Sequence, residues 1–167
     1  MNISNFLSTL DGNWLAQQTV HNLYLESNSS HKCEVVYKSI PNDCKLVSSL
    51  LDSPFDKYSN IDTLEVAWIN RNLKTSYELS YTLYFFTLKN TTYGRFIKWD
   101  KQENLVPTQG KFKWNENGIL NFTTRKGSIY IDETFYMPSD KLRLSTSIVK
   151  QYGICTQVSF VSEIKFN

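Results

Sequence analysis

An all-β fold, closed into an antiparallel up-and-down barrel of about ten strands, is predicted by three observations. Aromatic residues are abundant, with 4 Trp, 10 Tyr and 10 Phe in 167 residues, and they suit pleated, half-buried strands. Turn signals recur at short intervals: Asn90-Thr91-Thr92, Asn115-Glu116-Asn117-Gly118, Arg125-Lys126-Gly127, Pro138-Ser139-Asp140 and Tyr152-Gly153. Spacers this short join hairpins rather than crossovers. A long run of antiparallel strands must also hide its edges, and closure removes them altogether. The length fits one domain spanning residues 1–167, large enough to bury well over half of its unfolded surface.

In chain order, Ile3, Phe6, Leu7 and Leu10 recur at helical spacing, so residues 3–10 form a short amphipathic helix ended by Asp11-Gly12. Strands follow at 14–26 and 32–39. A second helix starts at Pro41, favoured in a first turn, and runs through Leu46 and Leu50 until Ser53-Pro54 stops it. The remaining strands are 62–70, 75–89, 93–99, 111–115, 118–124, 128–137, 141–150 and 154–166. A closed barrel of eight to ten strands leaves an interior able to hold one small ligand.

Composition narrows the chemistry. A net charge of +2 with basic residues scattered among acids gives nucleic acid no binding face. Cys33, Cys44 and Cys155 are odd in number and form no C-x-x-C pair, which speaks for a reducing compartment and against a disulfide framework. With His21 and His31 as the only histidines, a three-histidine zinc site is excluded. No run of eighteen apolar residues is present, and the amino terminus lacks the pattern of a secretory signal. A soluble, intracellular protein is expected. Only Ala16 and Ala67 represent alanine, beside many Asn, Lys and Ile, a bias that fits an AT-rich genome such as a plastid's.

The closing strands carry the candidate site. In "SIYIDETFYM" Glu133 shares a face with Ile131 and Phe135; in "KLRLSTSIV" Arg143, Ser145 and Ser147 share one; in the last strand Gln157, Ser159, Val161 and Glu163 do. Two readings fit this pattern. The charged and hydroxyl groups face solvent, or they line a pocket in which Glu133 and Glu163 flank Arg143.

Taken together, "WLAQQTVHNL", "LRLSTSIVKQYG" and "SFVSEIKF" resemble the S-type phycobiliprotein lyases, the CpcS/CpeS family of bilin attachment proteins. The similarity extends over nearly the whole chain. It implies a lipocalin-like (calycin) barrel that binds an open-chain tetrapyrrole, phycoerythrobilin in preference to phycocyanobilin. The activity implied is transfer of that bilin to a cysteine of an apo-phycobiliprotein α or β subunit, through a thioether at ring A. It further implies catalytic roles for Glu133, on the pyrrole N–H groups, and Arg143, on a propionate. Trp68, Gln18, His21, Ser145, Ser147 and Glu163 are the expected substrate-binding residues. The family commonly has arginine where this chain has Gln18 and Ser145. The nucleophile belongs to the acceptor, so Cys33, Cys44 and Cys155 act as small buried residues. No permanent cofactor and no metal are expected. The implied partners are the bilin and the acceptor subunit, in a plastid stroma or cyanobacterial cytoplasm, with a homodimer as an allowed assembly. Two rivals stand beside this reading. One is a non-catalytic carrier of bilin, haem or fatty acid; the other is an assembly protein that docks a subunit through the barrel rim and the 41–60 segment.

Overall fold

The computed structural model describes residues 3–41, 57–70, 77–100, 107–115 and 117–166. Apart from Pro41, the stretch expected to form a second helix falls within 42–56 and so lies outside the described residues. Helix α1 (Ile3–Leu10) leads into ten strands: β1 (Gly12–Asn22), β2 (Ser27–Ile40), β3 (Tyr58–Asn70), β4 (Tyr77–Leu88), β5 (Tyr93–Trp99), β6 (Thr108–Trp114), β7 (Ile119–Lys126), β8 (Ile129–Ser139), β9 (Leu142–Gln151) and β10 (Ile154–Phe166). Each strand pairs antiparallel with the next, and β1 pairs with β10 to close the barrel. No helix among the described residues is long and apolar enough to cross a membrane.

Local chemistry sets the strand ends. The strand expected at 14–26 stops at Asn22, although Leu23-Tyr24-Leu25 looks strand-like. The Asn22 carboxamide oxygen accepts the N–H groups of Tyr24 (3.1 Å) and Leu25 (2.9 Å), which folds the chain into a turn. That turn brings Ser27 opposite Asn22, so β2 begins five residues earlier than the expected residue 32, the polar stretch from Ser27 onward being recruited by register. Between β9 and β10, Tyr152 (φ 51°) and Gly153 (φ 82°) form a two-residue loop with both central residues left-handed, the geometry that matches strand twist. Near the end of β8 the register slips between Tyr136 and Ser139, where Pro138 has no N–H to offer.

Helix α1 seals one end of the barrel. Its apolar stripe Ile3, Phe6, Leu7 and Leu10 is buried, and the Phe6 and Trp114 rings meet at 4.6 Å. The Trp14 indole N–H donates to the Leu10 carbonyl at 2.7 Å, and the Lys165 ammonium donates to the Thr9 carbonyl at 2.9 Å. Both bonds satisfy carbonyls that the helix end leaves without an intrahelical partner.

The β5–β6 hairpin has a reciprocal packing motif. Gly94 stands opposite Phe112 and Gly110 opposite Phe96, so each ring lies over the facing glycine. A methyl group on Gly94 would fall 2.0 Å from the Phe86 carbonyl oxygen and 2.9 Å from the Phe112 ring. The carbonyl is backbone and cannot swing aside. Gly94→Ala should therefore destabilise the barrel by about 1–3 kcal/mol or more, read as a lower urea midpoint; a parent-like midpoint would show that β4 and β5 separate freely.

Candidate functional site

A cavity of about 460 Å³ occupies the barrel interior, within the range of roughly 300–1,000 Å³ usual for small-molecule sites. Phe6, Leu7 and Leu10 of α1 form its floor. Its wall is aromatic, with Trp68, Tyr81, Phe85, Phe96, Phe122 and Phe135, and the Phe122 ring meets Phe96 and Phe135 edge-on at 5.0 and 5.1 Å. Strand alternation then brings Gln18, Glu133, Arg143, Ser145, Ser147 and Glu163 to the same interior. Of the two readings left open by the sequence, the polar face of the closing strands lines the cavity.

Arg143 and Glu163 sit directly opposite each other on β9 and β10. They are 4% and 1% exposed. The Arg143 Nη2 donates to Glu163 Oε1 at 2.6 Å, its Nε pairs with Glu163 Oε2, and Nη2 also contacts the Tyr37 hydroxyl. Tyr37 in turn donates to Glu163 Oε1 at 3.0 Å. The guanidinium lies 4.5 Å from the Tyr37 ring centroid and 5.0 Å from that of Phe135. This is a closed, desolvated triad. Burial, reinforced by the Glu163 charge, pushes the Tyr37 phenol well above its ordinary range, against the pull of Arg143, so it stays a hydrogen-bond donor.

A second charged pair belongs to the same cavity. Glu133, half-buried on β8, has its carboxyl pKa raised by desolvation and pulled back by Lys98. Lys98 lines the cavity from β5, its ammonium 4.0 Å from the Tyr81 ring centroid. Tyr81 receives the Trp68 indole N–H at 3.4 Å, and its phenol is pushed up to about 12 by burial. Thus Trp68 is held edge to hydroxyl against Tyr81, in the same wall that Lys98 covers.

His21 does not join these groups. It is exposed on the outer face, its Nδ1 2.7 Å from the Asn28 carboxamide oxygen. The reason is parity: Gln18 and His21 are an odd number of residues apart on one strand, so they point to opposite faces. Cys33 is buried on the inner face of β2, and desolvation, aided by Glu163, pushes its thiol to about 11, which leaves it protonated and unreactive. Cys155 is half-buried and free, and Cys44 lies outside the described residues. Two lining residues, Tyr37 and Lys98, escaped the sequence reading. Each is in phase with inward neighbours, Tyr37 with Cys33 and Val35 and Lys98 with Phe96, and that phase was the available signal.

Fold and interior together define a cavity-bearing antiparallel β-barrel, stoppered at one end by a helix and carrying two opposed charge pairs inside. The chain belongs to the CpeS-like protein family, whose pattern it matches over residues 2–166. It is 28% identical to a chromophore lyase CpcS/CpeS homolog of Porphyra purpurea, over 96% of each chain. To the chromophore lyase CpcS/CpeS of Thermosynechococcus vestitus it is 26% identical, over 99% of this chain and 93% of the relative. Its fold is also that of the S-type phycobiliprotein lyase CPES from Guillardia theta, with a TM-score of 0.77 at 16% identity, over 100% of this chain and 94% of that one.

Proposed function

We propose that this protein is a bilin lyase. It takes an open-chain tetrapyrrole, phycoerythrobilin ahead of phycocyanobilin, into a lipocalin-like barrel and presents ring A to a cysteine of an apo-phycobiliprotein subunit. The observation that carries this reading is the pairing of an aromatic wall with the half-buried Glu133 in a cavity of about 460 Å³. A conjugated pigment asks for flat apolar contact along its length and for an acceptor at its pyrrole N–H groups, and this interior offers both.

The chemistry is an addition. The acceptor's sulfur bonds to the ethylidene carbon of ring A, the double bond is consumed, and the thiol's proton ends on the adjoining ring carbon. No oxidant, reductant or leaving group is needed. Glu133 favours the protonated, extended pigment, and desolvation raises its carboxyl pKa against the pull of Lys98, the direction that suits a proton-transfer role. Ser145 and Ser147, on the same face of β9, supply hydroxyls to pigment oxygens. Holding pigment and thiol in line supplies the rate gain, an effect that reaches about 7–11 kcal/mol in well-oriented systems. None of this chain's own cysteines joins the pigment, no permanent cofactor is needed, and the reaction belongs in a plastid stroma or cyanobacterial cytoplasm.

The test mixes purified protein with phycoerythrobilin or phycocyanobilin, then adds apo-subunits. Pigment should bind non-covalently, leave this chain entirely on acid denaturation, and appear as covalent fluorescence on the acceptor. Pigment that binds but is never passed on would make the protein a carrier.

A further inference from the structure

We propose that three apolar hairpin tips, at the end of the barrel away from α1, form the docking collar for the acceptor subunit, whose matching surface is apolar at its centre and carries carboxylates at its edge. The collar rests on the bilin-lyase reading and says where that reading's protein partner sits.

The two ends of the barrel differ in what their described hairpins show. At the helix end the connections are polar: Lys89-Asn90-Thr91-Thr92 between β4 and β5, Asn117-Gly118 between β6 and β7, and Asp140-Lys141 between β8 and β9. Turns ordinarily have this chemistry because they face water. At the far end, β1–β2 turns through Leu23, Tyr24 and Leu25, β7–β8 ends on Ile129, and β9–β10 turns through Tyr152 into Ile154, and all six are exposed. Tyr24 and Tyr152 are 84% and 80% exposed. These tips follow one another around the rim, since the barrel order there runs β2, β1, β10, β9, β8, β7. The Leu23 N–H donates to the Thr156 carbonyl at 2.9 Å and the Tyr152 N–H to the Ser128 carbonyl at 3.1 Å, which ties each tip to the next. Together they make a contiguous apolar edge of the kind that marks a contact with another molecule.

The collar is also built at a cost to the fold. Tyr152 holds a left-handed backbone, φ 51°, which is unfavourable for a bulky residue and suits Asn or Gly. With its ring 80% exposed, packing inside the barrel does not offset that strain. On the first tip the Asn22 carboxamide fixes the amides of Tyr24 and Leu25, so little order is lost when a partner arrives.

Position and charge name the occupant. Thr124, Ile131, Val149 and Gln157 line the cavity and pair in turn across β7, β8, β9 and β10, and Ile129 carries the Ile131 face out to the rim. A sulfur that reaches pigment in the cavity from this end passes the tips. Beside them, Arg125, Lys126 and Lys150 outnumber Glu26. A second copy seated rim to rim would set these cations against their own kind, and a bilayer would cover the mouth needed for handover. A folded protein surface with an apolar centre and acidic edge fits both features.

The experiment loads the protein with phycoerythrobilin or phycocyanobilin, whichever it binds, and follows transfer to apo-phycobiliprotein α and β subunits over a range of subunit concentrations. Compared with the parent are the pair Tyr24→Ser with Tyr152→Asn, the single change Lys126→Glu, and the helix-end control Tyr93→Ser. The double variant should need on the order of tenfold more subunit for half-maximal transfer, with the parent's pigment affinity, spectrum and rate at saturating subunit. Lys126→Glu should shift the same concentration in the same direction, and Tyr93→Ser should match the parent. The urea midpoint of the double variant should equal the parent's or exceed it, since Asn accepts the left-handed position. If the double variant and Lys126→Glu both transfer with the parent's subunit requirement, the collar is overturned and the lyase reading stands. If the parent binds pigment and loads neither subunit, the lyase reading fails and the collar's occupant with it. Binding to phosphatidylglycerol vesicles, or self-association in sedimentation, that the double variant loses while transfer is unchanged would give the collar to a membrane or to a second copy and overturn the proposal.

Discussion

Arg143→Leu is expected to lower stability by about 3–5 kcal/mol, seen as a large shift of the urea midpoint followed by tryptophan fluorescence. The change removes the cation from a triad in which Glu163 is 1% exposed and the Tyr37 hydroxyl donates to the same carboxylate. What remains is a charge in the barrel interior with a single neutral donor. The second half of the expectation gives it its force: pairing Arg143→Leu with Glu163→Leu should recover most of the loss, because a matched apolar pair leaves no charge stranded. A single variant that unfolds like the parent would show that the triad is solvated in solution. A double variant no better than the single one would place the damage in lost shape rather than lost charge.

Trp14→Ala should cost about 3–5 kcal/mol and should also loosen α1. Trp14 is fully buried, packs edge-on against Tyr37 at 6.4 Å and holds the Leu10 carbonyl through its indole N–H. Truncation therefore opens a void next to the triad and frees the helix end in one step. Hydrogen exchange of the amides in residues 3–10 is the second readout, expected to accelerate well beyond the global loss. Trp14→Phe separates the two effects, since it keeps most of the ring and gives up a hydrogen bond contributing about 1 kcal/mol. A Trp14→Ala protein within about 1 kcal/mol of the parent would mean that the cavity collapses around the missing ring.

Much of the barrel could be read from the sequence because its punctuation is local. Tyr152-Gly153 and Arg125-Lys126-Gly127 announce their hairpins without reference to anything distant. The first hairpin was misjudged for a related reason: the Asn22 side chain overrides the strand preference of Leu23-Tyr24-Leu25, and a side-chain turn of that kind leaves no mark on hydrophobic periodicity. In the site, alternation grouped Arg143, Ser145 and Ser147 correctly onto one face but could not say which side of the sheet was the inside. Only closure decides that. Lys98 was overlooked because a lysine in a short strand ordinarily reads as a solvent group, and its inward direction follows from β5 pairing with β4 and β6. Tyr37 was overlooked because its partners, Arg143 and Glu163, lie more than a hundred residues away in sequence.

The helix wedged into one end of the barrel has a kinetic consequence. With Phe6, Leu7 and Leu10 forming a floor, passage through the helix end would have to displace α1. For the lyase proposed above, pigment entry and handover are then expected to share the remaining access to the cavity, in the order filling, docking, handover, undocking and refilling. Surplus acceptor is expected to slow that cycle rather than drive it.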